Sequence, residues 1–152
     1  MKRKKDKVDV DKIQQTIEFY IDQAEKCASH GLYFSACVTY GAALEGMLLS
    51  FFLCNLTDDD EMPSLQEVRS VDLYSMIEEC VSNNGFNQSK IIPEIQSNLI
   101  HDIREIRNLI HPSRRAYFCK KIDRNMYAKV KNTFDDIAEH LFYWMTGDCE
   151  IE

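Results

Sequence analysis

Residues 32–54 constrain this chain more than any other stretch, because Glu45 is their single charged residue among Leu, Tyr, Phe, Ala, Cys, Val and Met. A helix that is apolar all round either crosses a bilayer or lies at the centre of other helices. Ser35, Thr39, Gly41, Gly46, Ser50 and Glu45 interrupt the run, and no second run of this kind follows. The stretch therefore reads as a central core helix, with no membrane as partner. Its small residues, Ala36, Gly41, Ala42, Ala43 and Gly46, let neighbouring helices approach closely.

A central helix needs others to cover it, and the flanking sequence supplies them. Val10, Ile13, Ile17, Tyr20, Ile21, Ala24 and Ala28 recur at helical spacing, behind Asp9 or Asp11 as a cap and ahead of a break at Gly31. Ser64 with Glu67 forms a capping-box signature. Leu73, Met76, Ile77, Cys80 and Val81 make one stripe of a short helix that begins near Ser70 or Asp72 and stops at Asn83-Asn-Gly85. Beyond a linker through Asn87 and Ser89, Pro93 suits the first turn of a helix reaching about Ile110. Met126, Val130, Phe134, Ile137, Leu141 and Trp144 define a last helix, from Asp123 to about Met145, closed by Gly147. Five Gly and three Pro offer little turn vocabulary for an all-β chain. The expected fold is all-α, a bundle of four long helices plus one short helix. Residues 1–8 read as a disordered basic tail, 9–146 as one helical domain and 147–152 as an acidic tail.

A buried carboxylate is costly unless paired, so Glu45 directs attention to the cations that can reach it. They lie in residues 100–115, a helix ending at His111-Pro112. Proline disfavours the α conformation at the residue before it, so the helix ends there, with Ser113-Arg-Arg115 in a following loop. At about 100° per residue, Arg104, Arg107 and His111 fall within about 60° of one another, while Ile95, Leu99, Ile103, Ile106 and Ile110 share another face. Either arginine is a candidate partner for Glu45.

Charge distribution sharpens this view. The net charge of −7 argues against non-specific nucleic-acid binding by the protein as a whole. Yet residues 104–124 hold seven basic and two acidic residues, a local balance of +5 (seven minus two). Such a patch suits a polyanion, although scattered Lys and Arg also merely solvate loops. The six cysteines show no Cys-x-x-Cys and no ligand-like pairing with the four histidines, which points to reduced thiols in the cytoplasm and no metal. Asp58-Asp-Asp-Glu61 lacks the alternating oxygen ligands and glycine of a calcium loop. No Gly-rich phosphate loop, Gly-x-Ser-x-Gly or His-Glu-x-x-His occurs, and no cofactor is implied. His30 and His101 read as surface or satisfied side chains, and His140, amid Ala138, Leu141 and Phe142, as a core-edge histidine.

The Arg-Asn of 107–108 followed by the His-Pro of 111–112, late in the chain, together with the apolar helix around Glu45, resembles the HEPN superfamily of small all-α domains. The likeness covers roughly residues 9–145 in helix order, and its specific part is about ten residues. It implies one of two roles. Many members are metal-independent endoribonucleases of toxin–antitoxin, CRISPR and antiphage systems, acting as dimers that join two Arg-x(4–6)-His motifs. Others are non-catalytic binding or dimerisation modules. His111 matches the family histidine and Asn108 the polar residue after the arginine. Six residues separate Arg104 from His111, within the family range, but Glu105 follows it. Arg107 has the Asn neighbour, yet only three residues lie before His111.

On the enzymatic reading, the RNA's own 2′-OH attacks. An imidazole suits the proton transfers, which gives His111 that task, and Arg104 or Arg107 holds phosphorane charge. Arg114, Arg115, Lys120 and Lys121 track the RNA backbone, and Tyr117-Phe118 could stack a base or simply pack. The expected partners are a second copy, RNA, and a cognate antitoxin or defence-system protein. On the other reading, the same residues bind without turnover.

Overall fold

A computed structural model describes residues 7–56, 63–81 and 94–146 of the chain. The described residues are all-α: α1 (Val10–Ser29), α2 (Tyr33–Leu56), α3 (Leu65–Arg69), α4 (Leu73–Val81), α5 (Glu94–Arg107), α6 (Pro112–Ala116) and α7 (Arg124–Thr146), with one 3₁₀ turn at Asn108–Ile110. Several expectations lie outside these residues: the tail before residue 7, the acidic loop 58–61, the break at 83–85, the linker, Pro93, Gly147 and the C-terminal tail. The side chains of Ile95, Val81 and Trp144 do too.

The helix starts are set by short polar side chains. Asp9 accepts from the Asp11 backbone N–H at 3.0 Å and opens α1. Ser64 and Glu67 form the reciprocal capping box of α3. Asp72 takes both the backbone N–H and the hydroxyl of Ser75, at 2.8 and 2.9 Å, and these bonds hold its carboxyl below the ordinary carboxylate range. Asp123 accepts from the Met126 N–H and opens α7. Gly31 adopts φ +73° between α1 and α2, a left-handed conformation that costs glycine little.

The tail ends earlier than the sequence indicates. Val8 is buried and donates its N–H to the Pro63 carbonyl at 3.2 Å, while Lys7 forms an isolated antiparallel bridge with Ser64. Entry into α1 is thus tied down by the approach to α3.

α2 is the centre. Ala36, Cys37, Tyr40, Ala43, Leu44, Leu48, Phe51 and Leu53 are all buried. They meet Ile17 and Ala24 of α1, Ile77 and Cys80 of α4, Ile100, Ile103 and Ile106 of α5, and Val130, Phe134, Ile137 and Leu141 of α7. Each fully buried Leu, Ile or Phe contributes about 1.5–3 kcal/mol, so one continuous core holds the helices together. By length and composition the segment Tyr33–Cys54 also suffices to cross a bilayer, and half of it is buried inside the protein.

Two glycines explain how tightly α2 is wrapped. A Cβ on Gly46 would stand 2.9 Å from Cγ1 of Ile17 on α1, and one on Gly41 would stand 2.6 Å from Cβ of Arg107 on α5. Two thiols lie in the same interior. Burial pushes those of Cys37 and Cys80 up to about 12.

Two details of the motif helix differ from expectation. Ile110 is not on the core face: it is 53% exposed, and Leu109 is buried instead. The chain tightens into a 3₁₀ turn at Asn108–Ile110, where each residue advances by about 120° rather than 100°, and the apolar face shifts by one position. Ser113-Arg-Arg115 is not a loop but the body of α6. His111 is extended, with φ −79° and ψ 120°, so the α5 direction ends at the His–Pro step. Pro112 then takes the first helical position, and the His111 carbonyl accepts from the Arg114 and Arg115 N–H groups at 3.0 Å.

Candidate functional site

The pairing of Glu45 is resolved in favour of Arg107. Its Nη2 lies 2.8 Å from Glu45 Oε2, and the two side chains are 31% and 29% exposed. Nη1 donates to Oδ1 of Asn108, at 3.4 Å. The stem of Arg107 runs against the bare backbone of Gly41, which leaves the guanidinium beside α2. Both members of the pair line an open groove of about 720 Å³, with Lys7, Lys12, Tyr20 and Leu49 among its other walls.

Arg104 points to a different neighbour. Its guanidinium carbon stands 5.2 Å over the Tyr74 ring of α4, and its Nε donates to Nδ1 of His101 at 3.3 Å. His101 Nε2 is 2.8 Å from Glu78 Oε1, and its ring lies 5.2 Å from that of Tyr74. With Nδ1 accepting, the neutral imidazole carries its proton on Nε2 and donates it to Glu78. This four-residue cluster bridges α4 and α5. Sequence reasoning missed it, although Tyr74 and Glu78 stand at i,i+4, and His101 and Arg104 at i,i+3.

His111 shares no hydrogen bond with either arginine among the described residues. It is exposed, and its ring has no hydrogen-bond partner among the described residues. The helical wheel that groups it with Arg104 and Arg107 fails because the 3₁₀ turn and the extended His111 backbone intervene. Within one chain, then, Arg104, Arg107 and His111 serve three separate surroundings: the α4 cluster, the α2 carboxylate and solvent.

The cations after the motif meet a different environment from Arg104 and Arg107. Arg114, Arg115, Lys120 and Lys121 are all exposed. Arg115 has its guanidinium carbon 5.2 Å over the Phe34 ring at the start of α2, and Lys120 borders a small cavity with Asp102, Glu105 and Lys129. Between the two cation pairs, Tyr117 is 87% exposed, whereas Phe118 packs against the core. Of the two neighbouring aromatics, Phe118 packs and Tyr117 does not.

Chemically, Glu45–Arg107 is a half-buried ion pair that fixes α5 on α2. The exposed strip from His111 to Lys121 offers cations, an imidazole and an open aromatic ring to a polyanion. Comparison with protein-family models, with curated proteins and with solved structures finds no match.

Proposed function

We propose that this protein is a non-catalytic, HEPN-like RNA-binding module, a bundle of four long helices whose exposed basic strip docks RNA without cutting it. One observation carries the reading: the motif's arginines are engaged inside the chain, Arg107 by Glu45 and Arg104 by Tyr74 and His101, while Arg114, Lys120 and Lys121 face solvent and Arg115, also exposed, lies over Phe34. Metal-free RNA cleavage needs a proton-transfer group and a cation converging on one phosphate. His111 makes no hydrogen bond to either motif arginine in the single chain, and both are bonded elsewhere, which favours binding over turnover. Phosphate contacts need only exposed cations, and Arg114, Lys120 and Lys121 supply them. The module works in the reducing cytoplasm as a homodimer, in company with RNA and with an antitoxin or defence-system partner.

The test is direct. Purified protein is mixed with single-stranded and structured RNAs in EDTA, and both binding and RNA integrity are followed. Bound, intact RNA with both wild type and His111→Ala is the expected result. Cleavage in EDTA that disappears in His111→Ala would overturn the reading in favour of a metal-independent endoribonuclease, its site completed by a second copy. Light scattering checks the dimer independently.

A further inference from the structure

We infer that Tyr117 is a base-stacking residue, and that the strip therefore takes single-stranded RNA in preference to duplex. The inference rests on the RNA-binding reading and adds to it the form of the ligand.

Tyr117 caps the C-terminal end of α6, with φ −108° and ψ 10°. Its side chain is held outward by its neighbours rather than by contacts of its own. Phe118, the next residue, is drawn into the core, which fixes the backbone on that side. The Phe118 N–H bonds the Arg115 carbonyl at 3.3 Å, and the thiol of Cys119 donates to the Tyr117 carbonyl at 3.6 Å. The ring itself, 87% exposed, meets no other ring among the described residues. A tyrosine buries a large apolar face wherever it finds one. Here a pinned backbone presents both faces to solvent.

The charges beside it complete the argument. Arg114 precedes the ring by one helical turn, about 5 Å along the axis. Lys120 follows within about 10 Å of chain. A strand lying across Tyr117 therefore sets one unpaired base on the ring and its flanking phosphates on cations to either side. Stacking on an aromatic face tolerates any base, because every base has a π-face. A duplex keeps its bases stacked on one another and reaches only the cations.

Fluorescence anisotropy with the full chain tests this, using a labelled oligouridine 12-mer, a blunt-ended RNA duplex of matching charge and oligothymidine. Wild type binds the 12-mer more tightly than the duplex. Tyr117→Ala weakens the 12-mer about tenfold, as expected for one lost stack, leaves the duplex unchanged and retains the salt dependence. Tyr117→Phe keeps the wild-type affinity, since the ring and not the hydroxyl is at work. A parallel tenfold loss on oligothymidine extends the ligand to single strands of either sugar; a loss confined to oligouridine restricts it to RNA. Undiminished 12-mer affinity in Tyr117→Ala overturns the stacking role and leaves RNA binding standing. The same result with loss of self-association by light scattering assigns the ring to a protein interface instead. Failure of the wild type to bind any of the three probes overturns the RNA-binding reading itself.

Discussion

Arg107 and Arg114 belong to one continuous basic segment, yet they meet opposite conditions. Arg107 stands on the last turn of α5 with its stem on Gly41 and its guanidinium on Glu45. Arg114 stands on α6 beyond the His–Pro step, exposed to solvent. What separates them is a change of backbone direction at His111. The contrast teaches that a basic motif is not one functional unit. Arg104 and Arg107, before the break, bridge helices; after it Arg115 still lies over Phe34 of α2, whereas Arg114 is exposed.

The sharpest way to break the comparison is to neutralise the outward cations. In a variant carrying Arg114→Ala, Lys120→Ala and Lys121→Ala, RNA affinity falls on the order of 10- to 100-fold. The slope of log affinity against log salt falls by about 2, at roughly 0.7 per lost phosphate contact on single strands. Its stability stays within about 0.5 kcal/mol of wild type by urea denaturation, because no core contact is touched. An unchanged salt slope would show that the strip does not bind phosphate.

Gly41→Ala tests the inward side. Its Cβ would meet the Cβ of Arg107 at 2.6 Å, and neither atom is the far end of a flexible chain. Helix propensity returns about 1 kcal/mol, but forcing α2 and α5 apart costs more. The net loss is about 1–2 kcal/mol of stability, read by urea denaturation, with RNA affinity intact at a temperature where the variant is folded. Stability equal to wild type would mean that the seam has slack.

Glu45→Ala leaves Arg107 half-buried without its carboxylate. A surface pair is worth about 0–1 kcal/mol and breaking a buried one costs about 3–5. At roughly 30% exposure on each side, a loss of about 1–2 kcal/mol follows. The double-mutant cycle with Arg107→Ala should return a coupling of similar size, and a coupling near zero would remove the pair from the account of the seam. Smallest is the effect of Asp72→Ala at the start of α4. The Asp72 carboxyl sits below its ordinary range because Ser75 bonds its charged form. Its contribution is therefore present above that range and lost as pH falls through the lowered value. Stability curves of wild type and variant differ slightly at neutral pH and converge in acid; a constant gap would assign the effect to something other than the charged cap.

Much of this arrangement is legible in the sequence, and the reasons are specific. The central role of α2 follows from one charge in its length, and the partner for Glu45 follows from the cost of burying that charge alone. Which arginine answers Glu45 is not legible. The choice depends on where α4 brings Tyr74 and Glu78, which the residue spacing within α5 does not reveal. The exchange of Ile110 for Leu109 on the core face arises from a change of helical pitch, which hydrophobic spacing does not announce. α6 carries a start signal in Pro112, but five residues are too few for periodicity to show. Val8 reads as tail because its tether is the carbonyl of Pro63. Whether the strip binds RNA rests on exposure, a property of the packed chain.

The buried thiols of Cys37 and Cys80 give the molecule a built-in clock. Only a thiolate reacts with an alkylating reagent, and with pKa values near 12 almost none forms at neutral pH in the closed protein. Each thiol reacts only when its own helix opens to solvent. Labelling of Cys37 therefore times the release of α2, and labelling of Cys80 times that of α4. The ratio of the two rates reports whether the protein comes apart piece by piece or all at once.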